Sequence, residues 1–298
     1  MASRVHTMRN LTNELVELIR RTSTDLPTDV EQYLRAAVDM EAPGSPAHGA
    51  LKTILRNVDM ARTHSTPICQ DTGTPIFRVR YPAGWSTRSL RQMIRDAMAI
   101  ATRKAYMRPN AVDAIRGSNT GNNLGGEDFP CIHAEEVDSN QPLIVDLMLK
   151  GGGCENVGRQ YSLPVSDLGA GRDLAGVRKV VLDAVHQAQG QGCAPGILGV
   201  AVGGDRGSSY VQSKNILFGR IGERHADPEL AALEERLTRE ANQLGIGPMG
   251  FGGRTTILDT KITGLHRLPA SYFVSISYMC WAYRRRRMVV RDDEVLYD

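Results

Sequence analysis

Apolar residues recur at helical spacing along the first part of the chain. Leu11, Leu15, Leu18 and Ile19 fall on one helical face, and Leu51, Ile54, Leu55 and Val58 on another. Residues from about 10 to 62 therefore read as helices, with Pro43, Gly44, Ser45 and Pro46 marking a turn between them. Next come a short strand over 75–81 and a helix over about 89–106. The middle of the chain alternates between the two periods. Residues 143–149 read as a strand that runs straight into Gly151, Gly152 and Gly153. Residues 173–189 read as a helix with Val177, Val181, Ala184, Val185 and Ala188 on one face, stopped by Gly190. Residues 197–202 form a continuous apolar run of the buried-strand type, followed by Gly203, Gly204, Asp205 and Arg206. The strongest helix signal opens at Asp227, a good N-cap, with Pro228 at the first helical position. Leu230, Leu233, Leu237, Ala241 and Leu244 follow at helical spacing, and Gly245 ends it. A last strand, 272–279, ends at Cys280.

Strands separated by helices predict an α/β fold: an N-terminal helical region over 1–62, then mixed sheet layers with helices over 63–298. Composition agrees. The 298 residues are 41% hydrophobic, enough for a real core, and 30 glycines with only 5% aromatics favour glycine-bearing turns over an aromatic-rich β-sandwich. A net charge of +3 sets up no strong field for nucleic acid. The arginine run 284–287 is the one basic cluster, and it reads as a solvated face or a contributor of salt bridges. No window reaches the ~18 consecutive apolar residues of a membrane span. Residues 1–21 carry Arg4, Arg9, Arg20 and Arg21, but Glu14 and Glu17 interrupt them, so the stretch reads as a surface helix, not a signal or transit peptide.

Five cysteines with no secretory signal argue against a disulfide framework and for a reducing cytoplasm. Cys69 sits in a polar turn before a strand, Cys193 between a helix and a strand, and Cys280 just after a strand. Glycine and proline neighbours give such loops the freedom to aim sulfurs at one point. Their spacing is not that of a zinc knuckle or a ferredoxin run. Taken singly, each reads as a small buried apolar residue before it reads as a ligand. Cys131 lies in an apolar setting and reads as core, while Cys154 stays between the two readings. The glycines at strand ends are turn residues that would also suit backbone N–H groups packed around an anion.

The segment Ile68-Cys69-Gln70-Asp71-Thr72-Gly73 resembles the first cluster-ligand motif of the class I (iron–sulfur) fumarate hydratases and their relatives, the L-tartrate dehydratase α subunits. The likeness continues through Arg108-Pro109-Asn110, Asn119-Thr120-Gly121, Lys150 to Asn156 and Cys193-Ala194-Pro195. It goes on through the glycine-rich stretch 244–253 with Thr255 and Thr256, and ends at Cys280-Trp281-Ala282. The motifs stand in the right order over roughly residues 50 to 290.

The resemblance implies a [4Fe–4S] cluster held by Cys69, Cys193 and Cys280 in loops at strand ends, with the fourth iron open to substrate. That iron would act as a Lewis acid toward a carboxylate and the hydroxyl that leaves or arrives. Asp71 is then the group that assists proton transfer, although an Asx-turn ahead of Gly73 would also explain it. Arg108 offers a planar fork for a substrate carboxylate. Gly152 and Gly153 could give backbone N–H groups to the same anion, with Asn119 and Thr120 as further substrate contacts. Surface roles explain Lys150 and Arg206 equally well.

Two positions depart from the family pattern. The second ligand is followed by Ala194-Pro195 where relatives have two prolines. Relatives also carry a histidine twelve residues ahead of the last cysteine, where this chain has Leu268; in an extended segment, His266 would share its face. Single-chain members of that family append a second domain, which the resemblance leads one to expect on a separate chain. The resemblance thus implies the α subunit of a hydro-lyase acting on a small dicarboxylate, with fumarate/malate first and L-tartrate second. A β subunit would complete it as a dimer of αβ pairs, without nucleic-acid or membrane partners. A non-catalytic iron–sulfur sensor is the competing reading, and Asp71 and Arg108 argue against it.

Overall fold

The computed structural model describes residues 9–292 and 294–298; Arg4 and the start of the 1–62 region lie outside the described residues. The first elements are the helices α1 (Thr12–Thr24), α2 (Thr28–Met40) and α3 (Pro46–His64). Then come β1 (Thr74–Pro82), α4 (Thr87–Arg103), β2 (Cys131–Val137) and β3 (Leu143–Lys150). The short α5 (Gly152–Asn156) follows directly, then β4 (Arg159–Ser162), α6 (Leu174–Ala188), β5 (Gly196–Val202) and α7 (Arg206–Asn215). The last elements are α8 (Pro228–Gln243), β6 (Ile257–Gly264), β7 (Phe273–Met279), β8 (Arg284–Arg291) and β9 (Glu294–Tyr297).

The elements expected from periodicity are present, and local chemistry sets their ends. The Asp227 carboxylate accepts from the Glu229 N–H at 2.8 Å, and Pro228 opens α8. Asp173 caps α6 by accepting from Gly176 N–H at 2.6 Å. Helix α4 stops at Arg103, short of Tyr106, because Ala105 adopts φ +59°, which no right-handed helix can continue.

Two compact units emerge, each gathered from separated stretches. One takes the described residues up to Pro27 with Asn57–Lys150 and Arg284–Asp298; the other takes Thr28–Arg56 and Gly151–Tyr283. The first is built on a five-stranded sheet of order β2-β1-β3-β8-β9, in which only β1 and β2 run parallel. Leu15, Leu18 and Ile19 of α1 and Leu90, Ile94 and Ala97 of α4 bury against Phe77, Val79, Val145 and Leu147 of this sheet. The second is built on a four-stranded sheet of order β4-β7-β5-β6, with β5 and β6 parallel. Helices α6 and α8 bury Val177, Val181, Leu233 and Leu237 against Leu198, Val200, Val274 and Ile276. The opposite face of β5 and β7 takes α7, where Ser213 and Ser277 meet oxygen to oxygen at 2.7 Å and Ser275 donates to Ser209 at 2.8 Å. Gly199 admits that helix, since a Cβ there would overlap the Ser213 carbonyl oxygen.

The arginine run 284–287 is not a solvated face. It opens β8, where Arg284 is 1% exposed and Arg285 5%. Arg286 pairs with Asp25 at 2.9 Å and Arg287 with Asp146 at 2.6 Å, so the salt-bridge half of the expectation holds. Asp146 is the buried pivot of the first sheet: in register between Arg78 and Arg287, it accepts from both. Replacing it removes the buried carboxylate that two half-exposed guanidinium groups share across the sheet. Asp146→Ala is expected to lower the free energy of unfolding by about 2–3 kcal/mol, read from urea titration.

Candidate functional site

In the first unit, the turn carrying Cys69 is tied to the segment carrying Arg108. Thr72, fully buried, donates its hydroxyl to the Arg108 carbonyl at 3.4 Å, and the Asn110 amide donates to the Thr72 hydroxyl at 3.0 Å. Arg108 Nη1 reaches the Gln70 carbonyl at 3.5 Å, a long contact that leaves the guanidinium exposed. Asp71 Oδ1 accepts from Gly73 N–H at 3.1 Å, so the Asx-turn is formed. The bond fixes the carboxylate's orientation beside Arg108's segment. Gly73 has φ +86°, and a Cβ there would come within 2.8 Å of the Leu149 carbonyl carbon, so only glycine lets this turn close on the end of β3.

Asn119 uses its amide to hold the same loop, donating to the Pro109 carbonyl at 2.6 Å and accepting from Gly121 N–H at 2.8 Å. Thr120 is exposed beside it, its N–H donating to the Ala111 carbonyl at 2.9 Å. The loop's anchor is a residue that the sequence reading passed over. Asn123, 1% exposed, accepts from the N–H groups of Asn110 and Ala111 at 2.7 and 3.1 Å. Its amide donates to the Arg108 carbonyl at 2.7 Å and the Thr102 hydroxyl at 3.0 Å. Its φ of +58° is tolerated best by asparagine among side-chain-bearing residues, and no sequence motif marks it.

The second unit brings Cys193 and Cys280 onto adjoining loops. Trp281 N–H donates to the Cys193 carbonyl at 3.2 Å. Cys193 has φ +55°, and the next residue's carbonyl, on Ala194, accepts from Met249 N–H at 2.8 Å. Around it the packing is backbone on backbone: a Cβ on Gly190 would stand 2.7 Å from the Gly250 Cα. Tyr278 is 2% exposed in β7, its ring over Gly192. Burial pushes its phenol above the usual tyrosine range, and the nearby thiols of Cys280, Cys154 and Cys193 push the same way. Cys154, 3% exposed in α5, thus shares a neighbour with the two expected ligands. Gly152 and Gly153 form the exposed first turn of the short α5. Lys150 is fully buried at the end of β3, while exposed Arg206 donates to Gln160 Oε1 at 3.1 Å and stacks on Phe273.

Cys69, half-buried, belongs to the first unit. Cys131 is not a core residue: it heads the edge strand β2 half-exposed, with Sγ 3.2 Å from His133 Nε2. The expected histidine position, Leu268, is 75% exposed in the loop between β6 and β7, and His266 is exposed there too. Among the described residues no three His, Cys, Asp or Glu side chains gather as the ligands of a single metal ion. An iron–sulfur cluster asks for something else, thiolates spread around a multi-atom core. Cys193 and Cys280 fit that demand chemically, as soft donors on loops that glycines shape.

The family model described as fumarate hydratase (fumerase) matches residues 12–289. The chain belongs to this family. It is 47% identical over 281 residues to a protein of Geobacillus stearothermophilus assigned as a class I fumarate hydratase, covering 93% of this chain and 54% of that one. The chain therefore spans about half the length of that relative. It is also 31% identical over 286 residues to the L(+)-tartrate dehydratase subunit alpha of Escherichia coli, covering 94% of this chain and 92% of that one. A Methanocaldococcus jannaschii protein assigned as the same subunit is 33% identical, with 92% and 95% covered.

The Asn123 clamp can be tested without substrate. Asn123→Ala removes the acceptor of two backbone N–H groups, so the amides of Asn110 and Ala111 should exchange with deuterium about tenfold faster. Hydrogen-exchange mass spectrometry of the peptide spanning them reads this directly.

Proposed function

We propose that the chain is the α subunit of a [4Fe–4S]-dependent hydro-lyase that reversibly adds water to a small dicarboxylate, fumarate/malate before L-tartrate. The observation that carries this reading is the seating of Cys193 and Cys280 on loops joined by the Trp281 N–H, within a family match that runs nearly end to end. Identity of 47% to the Geobacillus protein favours fumarate and malate. The near-complete cover of chains named as alpha subunits favours a β partner, in a dimer of αβ pairs, and keeps L-tartrate as the second reading. No helix among the described residues is long and apolar enough to cross a membrane, and a reducing cytoplasm suits thiolate ligands.

Held by Cys69, Cys193 and Cys280, the cluster would supply a Lewis-acidic iron to the substrate's carboxylate and hydroxyl. The chain's own residues do the rest. Asp71, oriented by its turn, takes or gives the proton at its carboxylate. Arg108 turns two parallel N–H groups to a substrate carboxylate, its segment held by Asn123 and Thr72. Gly152 and Gly153 add backbone N–H groups where the anion's charge sits, and Asn119 and Thr120 shape the loop beside Arg108.

The chain, co-expressed anaerobically with its β partner, should carry about four irons, as a cubane requires. It should interconvert fumarate and malate, with L-tartrate and mesaconate as comparison substrates. An iron-loaded preparation that turns over no dicarboxylate would sink the enzyme reading. Asp71→Asn can keep the turn, since the amide oxygen still accepts from Gly73, but it cannot transfer the proton. We expect kcat to fall about 10²–10⁴-fold with iron content unchanged.

A further inference from the structure

Within the first unit, the end of α1, the end of α3 and strands β8 and β9 enclose a cavity of about 390 Å³. Among the described residues, the guanidinium groups of Arg20, Arg21, Arg62 and Arg286 line it, against the carboxylates of Asp25 and Asp298. Glu17 and Asp59 also pair with three of these arginines, but neither lines the cavity. The Asp25 carboxylate is divided between two partners. Its Oδ1 accepts from Arg62 Nε at 2.7 Å, and its Oδ2 from Arg286 Nη2 at 2.9 Å. The Arg286 side chain is 11% exposed and forms the floor, whereas those of Arg21 and Arg62, 43% and 40% exposed, stand at the mouth.

Arg21 is held in a way that spares its donors. Its guanidinium lies over the Tyr297 ring, 4.6 Å from the centroid, and bonds through Nε to Glu17 at 2.7 Å. Both of its Nη groups are without an acceptor in the chain. Guanidinium groups gathered this closely also disfavour one another. Burial pulls Arg286 below its ordinary range; Asp25 and Asp298 counter that pull, while the charges of Arg21 and Arg285 add to it. An anion seated among them relieves the repulsion and takes up the spare donors. A planar carboxylate is saturated by one or two guanidinium forks. A phosphate group offers three acceptor oxygens and close to two negative charges, and arginine meets it bidentately. The cavity lies within the roughly 300–1,000 Å³ usual for small-molecule sites, so the body of a molecule fits beside the phosphate. We propose that this cavity binds a small phosphorylated molecule, with its phosphate seated among Arg21, Arg62 and Arg286. None of these residues has a part in the hydro-lyase reaction, so the site does not depend on that reading.

Isothermal titration calorimetry of the full-length chain with pyrophosphate, at fixed ionic strength, tests this. Pyrophosphate should bind, and Arg21→Gln and Arg62→Gln should each weaken it about tenfold or more, the loss expected for a charge-assisted hydrogen bond. Both positions are partly exposed, and should one variant fail to fold, the other carries the test. Arg35→Gln removes an equal charge from α2, outside the cavity, and should leave the affinity unchanged. Absence of pyrophosphate binding, equal affinity in the cavity variants, or an equal loss in Arg35→Gln would overturn the proposal. Succinate titrated in the same way separates the two anion classes. Succinate binding as tight as that of pyrophosphate, and weakened as much by Arg21→Gln, would overturn the assignment to phosphate.

Discussion

Backbone packed on backbone, with no side chain between, is the constraint on which the cysteine-bearing end of the second unit depends. Gly190 lies against Gly250 and Gly247 against Gly252, and next to these contacts the one side chain admitted, the Tyr278 ring, packs directly on the backbone of Gly192 and Gly196. At each contact a Cβ would overlap its neighbour, so the distances that bring the Cys193 loop to the strand end exist only because these positions are glycine. The glycine-rich segment is itself pinned from outside. Glu41, 4% exposed, accepts from the N–H groups of Arg254 and Thr255 at 2.8–3.0 Å. A buried carboxylate needs such donors, and here the loop supplies them in place of a cation. The left-handed turn at Cys193 is thus set by what surrounds it. That is what a ligand loop needs if its sulfur is to be placed before the metal arrives.

The first unit solves a similar problem with charge. Its central strand β3 carries Asp146 in register between two arginines, and β8 carries four arginines in a row through the sheet. Burial pulls the Arg286 guanidinium below its ordinary range, and the Asp25 carboxylate counters it. Arginine suits such places because its planar fork meets carboxylates and carbonyls together, as Arg286 does with Asp25 and the Leu26 carbonyl. The turn bearing Cys69 and Asp71 closes on the end of β3 at Gly73, so the orientation of a candidate proton-transfer group rests on the same strand that Asp146 steadies.

What was legible in the sequence was whatever had a period or a cap. The helices α6 and α8 announced themselves through Val177, Val181, Leu233 and Leu237 and through their aspartate caps. Strand β5 showed as an unbroken apolar run because it is covered on both faces. Helix α7 did not show, since it packs through Ser209, Ser213 and a glycine in the facing strand, with no apolar stripe. Strand β8 was hidden by its charge: nothing in four consecutive arginines says that Asp25 and Asp146 wait beside them. That each unit is gathered from separated stretches of chain carries no local signature at all. At the candidate site, the motifs marked Cys69, Asp71, Arg108, Cys193 and Cys280, and the structure ties the first three into one loop cluster and the last two into another. Asn123 and Tyr278 escaped because neither belongs to a motif; each acts by filling a place that only the folded loops define.

Leu268 can be weighed by the same physics. The loop around it is held by its neighbours' backbone. Arg172 donates to the carbonyls of Leu163, Pro269 and Ala270, and Arg267 to those of Leu268, Pro269 and Ser271. None of these bonds involves the side chain at 268, which is 75% exposed. The loop's shape is therefore independent of which residue stands there. A change from an imidazole to an isobutyl group costs the fold little, because neither a buried contact nor a hydrogen bond is lost with it. Chemistry at this position can vary while the scaffold that carries Cys280, beginning at β7 just beyond the loop, stays the same. The departure at Leu268 thus leaves untouched the packing that seats Cys193 and Cys280.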